Sequence, residues 1–150
     1  MKNEVGYNCV IQTLRTANAL WRESRRFFRP FGITEAQFNV LHLLGQKTEG
    51  MSQRELSDLL VVDRSNVTLL LDRMDKRGWI HRHDVPGDRR VYRVCLTSSG
   101  AKLWKRVLPS YQQAVETVTR KLSAREIQAT LRVLQTMESH ANQWRNHEKL

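Results

Sequence analysis

The residues richest in chemistry flank a single turn. Arg89 and Arg90 directly follow Val85-Pro86-Gly87-Asp88. Paired guanidiniums at a projecting tip suit a polyanion, because each offers a rigid fork of donors and a narrow anionic groove attracts cations. Upstream, His81-x-His83 with Asp84 offers donors of the kinds that bind zinc, and a strand would put both rings on one face. No complete ligand set can be placed, so the expectation is histidines near phosphate, with no metal site and no cofactor. Cys9 and Cys95 are too far apart for a metal knuckle and too few for a disulfide scaffold. Cys95 alternates away from Val94 and Leu96 and reads as a small strand residue. The chain has no Gly-rich phosphate loop, nucleophile elbow or His-Glu-x-x-His pattern, so no catalytic residue and no enzyme is expected.

These residues need elements to position them. Val10, Leu14, Ala17, Trp21, Ser24 and Phe28 step by four and three, which predicts a helix from about residue 7 to the Arg29-Pro30-Phe31-Gly32 break. Three later starts share one device, a hydroxyl followed three residues on by Glu or Gln: Thr34 with Gln37, Ser52 with Glu55, Ser123 with Glu126. Asp63 is a fourth candidate cap. The implied helices cover 34–46, 52–60, 63–77 and 123–145. Between Trp79 and Leu96 the period falls to two, so Ile80, Tyr92, Val94 and Leu96 predict one face of a hairpin turning at Pro86-Gly87. From Thr97 a helical stripe resumes, and Pro109 is expected to bend it.

Two short helices followed by a hairpin are the order of a winged helix-turn-helix, and the second would be the reader. At 100° per residue Val67, Leu70, Leu71 and Met74 turn inward. Ser65, Thr68, Leu69, Asp72 and Arg73 then face out, with Arg64 and Asn66 at the edges. Small polar groups suit approach to base edges, and Leu69 could meet only an apolar target such as a thymine methyl. Asp72 is awkward near phosphate and is expected to hold Arg73 or Arg64, or to accept from cytosine. Ser52, Gln53 and Arg54 on the first helix and Arg82 on the hairpin complete the candidate DNA-contacting set.

The formal charge is +10, but residues 52–95 carry nine cations against seven acids, while 1–30 carry six against two and 96–150 nine against four. Net charge therefore favours a polyanion without locating its face. No run of eighteen apolar residues occurs and the first residues lack a secretory pattern, so a cytoplasmic protein with no membrane partner is expected. The terminal stripes exceed what one small chain can cover, which implies a homodimer built from both ends.

The stretches "SQRELSDLLVVDRSNVTLLLDRMDKRGWIHR", "GDRR" and "CLTSSG" resemble the multiple antibiotic resistance regulator (MarR) family. The resemblance implies a mainly α fold with a small β-hairpin wing, residues 1–150 forming a single domain. Within it, 7–30 and 97–145 would be dimerisation helices and 34–96 the winged helix-turn-helix lobe. It also implies a homodimer on double-stranded DNA, reading a pseudo-palindromic operator with half-site centres ~10 base pairs apart, usually as a repressor. Arg90 takes the minor-groove role, with Arg89 as second candidate and Asp88 as the group that orients the arginine. Leu69 departs from the basic residue many relatives carry. Relatives often bind a small aromatic or phenolic ligand, which would place Asn18, Trp21, Phe38 and His42 in an effector crevice. Cys9 lies near the reactive cysteine of the family's peroxide sensors, so thiol-based sensing is one alternative, and a winged-helix interaction module that binds no DNA is another.

Overall fold

The computed structural model describes residues 2–61, 64–85 and 88–143, with the backbone alone for Lys2, Arg64, Val85 and 88–91. In order they form α1 (Lys2–Phe28), a 3₁₀ turn (Arg29–Phe31), α2 (Glu35–Gly45), β1 (Met51–Ser52), α3 (Gln53–Leu59) and α4 (Arg64–Lys76). The hairpin strands β2 (Ile80–Val85) and β3 (Asp88–Leu96) follow, then α5 (Ser98–Thr119) and α6 (Ala124–Gln143). The fold is the mainly α winged arrangement that the sequence implies.

α1 starts five residues before the expected position. Its apolar stripe begins only at Val10, but a helix can begin ahead of its packed face, and Glu4 in the first turn suits the positive end of the dipole. It stops where Pro30 enters the 3₁₀ turn and Gly32 takes φ +68°. α2 and α3 begin with the expected reciprocal caps: Gln37 N–H donates to Thr34 Oγ1 at 3.2 Å, and Glu55 N–H to Ser52 Oγ at 3.2 Å. α6 begins the same way, with Glu126 N–H donating to Ser123 Oγ at 3.3 Å. Asp63, Pro86, Gly87 and Trp144 lie outside the described residues.

The sheet is antiparallel in the order β1-β3-β2. Ile80 pairs with Leu96, Arg82 with Val94 and Asp84 with Tyr92, so these share one face, and Ile80 and Val94 are buried beneath it. His81, His83, Arg93 and Cys95 occupy the other face. The expected hairpin pattern matches this register. β1, which pairs Met51 with Val94, was not read from the sequence, because two residues show no alternation and Ser52 already reads as a cap.

By contacts the chain divides into two compact units, Met1–Leu108 and Pro109–Leu150. The reason is in the burial. The core residues, among them Phe28, Phe38, Leu41, Leu56, Val67, Leu71, Met74 and Val107, all belong to the first unit. No described residue of the second is buried. The boundary falls within α5 at Pro109, whose missing amide removes one rung of that helix.

Candidate nucleic-acid interface

The exposed face of α4 is organised from below. Val67, Leu71 and Met74 are fully buried, anchoring the helix at positions four and three apart. That turns Ser65, Asn66, Thr68, Leu69 and Arg73 to the exterior, as expected, with Leu69 49% exposed. Arg64, at the start of the helix, has its side chain outside the described residues, as do Asp88, Arg89 and Arg90 on β3.

Gln53 holds the reader in place. Its Nε2 donates to Thr68 Oγ1 at 2.8 Å, and its Oε1 accepts from the Tyr92 hydroxyl. One amide therefore joins α3, α4 and β3. Ser52 is engaged in its cap, so its hydroxyl oxygen faces Glu55, while Arg54 is exposed. The Ser52 amide and hydroxyl, in that order, hold the Glu55 carboxyl below its ordinary value.

Arg82, one of the candidate DNA-contacting residues, is held by the acids of α4. Its Nη2 lies 2.6 Å from Asp72 Oδ1, its Nη1 3.4 Å from Asp75 Oδ2, and its guanidinium 5.3 Å from the Tyr92 ring centre. Burial alone would lower its pKa; the Asp72 hydrogen bond, with Tyr92, Asp72 and Asp75 charges, outweighs this and raises it. Arg82 is thus a charged brace between β2 and α4. Asp72, expected to hold a neighbouring cation, holds Arg82 of β2. Tyr92, expected from the sequence only as an apolar face residue, supports both Gln53 and Arg82.

The residues expected in the effector crevice fall in two settings. Phe38 is wholly buried, its ring 4.9 Å from Phe28, and so presents no face to a ligand. His42 stacks on Phe38 at 5.8 Å, accepts from Trp104 Nε1 at 3.3 Å through Nδ1, and has Nε2 beside the Gln46 side-chain amide at 2.8 Å. Asn18 and Trp21 are exposed on α1, and so is Cys9. A surface cavity of about 730 Å³ lies instead at the end of α1, lined by Arg25, Arg29, Arg73, Lys76 and Arg77 against one acid, Glu35. Arg73 therefore faces this cavity. Arg77 donates to Gly32 O at 2.9 Å and lies over Trp79.

On the far face of the sheet, Cys95 Sγ lies 3.8 Å from His83 Nδ1, and the His81 and His83 rings are 5.9 Å apart. Asp84, grouped with the histidines in sequence, falls on the Arg82 face.

A helix pair followed by a β-hairpin, with β1 ahead of the pair completing the sheet, defines a winged helix-turn-helix protein. The MarR family model matches residues 33–92. The multiple antibiotic resistance protein MarR of Escherichia coli is 34% identical over 109 residues, covering 72% of this chain and 74% of that protein. The transcriptional repressor MprA of Escherichia coli is 32% identical over 108 residues, covering 71% of this chain and 61% of MprA, so the match spans about three-fifths of that repressor. A crystal structure of a mutant Escherichia coli MarR with operator DNA superposes with a TM-score of 0.69 at 28% identity, over 87% of this chain and 96% of the other. This chain belongs to the MarR family, whose members are transcriptional regulators and not enzymes.

Proposed function

We propose that the protein binds duplex DNA sequence-specifically as a homodimer, represses a nearby promoter, and releases it when a small aromatic acid binds. The observation that carries this reading is the α4 surface, where Ser65, Asn66, Thr68 and Leu69 are exposed over a rigid buried row. In the major groove those side chains reach base edges, while Arg54 takes phosphate. Arg90, with Arg89 as second candidate, enters the minor groove, and Asp88 orients it. Arg82 braces the wing and does not touch DNA.

The dimer rests on uncovered apolar surface. Val10, Leu14 and Leu20 on α1, and separately Val118, Leu131 and Val133 in the second unit, are each more than two-fifths exposed. Stripes of this length on a soluble chain call for a partner, and a second copy supplies a self-complementary one. For the effector, the five-cation cavity suits a carboxylate better than the packed Phe38–His42 pair does. It contains Arg73 of the reader helix, so a ligand there acts directly on α4.

The test is fluorescence anisotropy with duplex from upstream of the coding gene, against scrambled duplex, across a salt series. Preferential binding that weakens with salt, and an Arg90→Ala variant that binds more weakly with a salt slope shallower by about one, are expected. Equal affinity for both duplexes, or none for either, would overturn the reading in favour of an interaction module. Phenolic acids added to the complex should release DNA from the wild type and less from Arg29→Ala.

A further inference from the structure

We propose that His81, His83 and Cys95 form a zinc site on the outer face of the wing sheet. β2 alternates, so the two histidines share a face, and the register sets Cys95 of β3 directly opposite His81. One ligand atom from each of the three lies within 4.8 Å of the others. For zinc at about 2.0–2.1 Å from nitrogen and 2.3 Å from sulfur, a tetrahedral angle separates the two by about 3.6 Å. The Cys95 Sγ–His83 Nδ1 distance of 3.8 Å is already close to that.

The surroundings favour an ion over a packed thiol. Both histidines are exposed and Cys95 is half-buried, so an ion reaches them from solvent. Gly50, at φ +73°, lies under Cys95, and a Cβ there would collide with Sγ. Arg93 shares the face, and its guanidinium is engaged with backbone carbonyls, donating to Glu49 O at 3.0 Å and Gly50 O at 2.7 Å. Two imidazoles and one thiolate make a mixed nitrogen and sulfur set, which a borderline-soft, redox-inert ion accepts. Three protein ligands leave the fourth position to water. On binding, the Cys95 thiol releases its proton to solvent and a Zn–S bond forms, so the wing gains one net positive charge. The site does not depend on the DNA-binding reading, because metal binding is measured on the protein alone.

The experiment uses the reduced full chain carrying Cys9→Ser, which leaves Cys95 as its only thiol. Titration with Co(II) should give a thiolate charge-transfer band and tetrahedral visible absorption saturating at one ion per chain, both erased by added Zn(II). Zinc should also protect Cys95 from a thiol reagent. His81→Ala and His83→Ala should each weaken binding at least about tenfold, and Cys95→Ser should remove the charge-transfer band. His81 and His83 are exposed, so their variants keep the fold, which far-ultraviolet circular dichroism checks. Absence of the band, or identical titrations for the parent and both histidine variants, would overturn the site.

Discussion

Arg82→Ala separates a structural cation from a DNA-contacting one. The wild-type side chain is 25% exposed, against 42% for Asp72 and 40% for Asp75. Its 2.6 Å bond to Asp72 is charge-assisted; partial solvent access sets it near the low end of such bonds, about 1.5 kcal/mol. The 3.4 Å contact with Asp75 adds a few tenths of a kcal/mol, and the Tyr92 ring about 0.5 kcal/mol. The expected loss is therefore about 2 kcal/mol, or a melting point lower by about 4–8 °C in a chain of this size. Urea denaturation at fixed protein concentration measures it. Asp72→Asn, which keeps an acceptor but removes the charge, should cost less, and the double variant should show coupling of about 1 kcal/mol. The salt slope of DNA binding should not change. A stability loss below about 0.5 kcal/mol, or a slope shallower by about one, would refute the bracing role.

Other consequences are as direct. Leu69→Ala should change preference at one base step by about 1 kcal/mol, read by binding-site selection; an identical selected motif would count against the thymine contact. Gly50→Ala should destabilise by more than about 1 kcal/mol, because the left-handed φ and the collision with Cys95 act together. The Glu55 carboxylate, held below its ordinary value by Ser52, contributes stability that is complete above the unfolded value and is lost as pH falls through the folded one. Glu55→Gln should keep the cap but lose less stability on acidification, as thermal melts between neutral and acid pH will show. Sedimentation of the full chain should give a dimer, and dilution should lower its melting point.

The elements set by local rules were legible in the sequence. Capping pairs announced α2, α3 and α6, and alternation announced the face shared by Ile80, Tyr92, Val94 and Leu96. The buried face of α4 followed from helical geometry, and so did its exposed side. What depended on pairing between distant residues was not legible. Cys95 joins His81 only through the strand register, which no spacing along the chain encodes. Arg82 finds Asp72 and Asp75 because the end of α4 runs beside β2, so a cation that looked free is held. Phe38 and His42 resembled a ligand pair because an aromatic and a histidine four apart serve packing equally well; Phe38 packs on Phe28, and Trp104 donates to His42.

The Gln53 bridge has a polarity. Donation runs one way, from Tyr92 to Gln53 and from Gln53 to Thr68. With its oxygen already accepting, Thr68 has its own hydroxyl proton left to offer outward. A hydroxyl that could otherwise donate or accept is thereby biased toward donation, favouring groups such as adenine N7 or thymine O4 over an amino group. The bias originates in a tyrosine on β3, so under the proposed DNA-binding mode a strand outside the reader helix would set the sign of a contact that α4 makes.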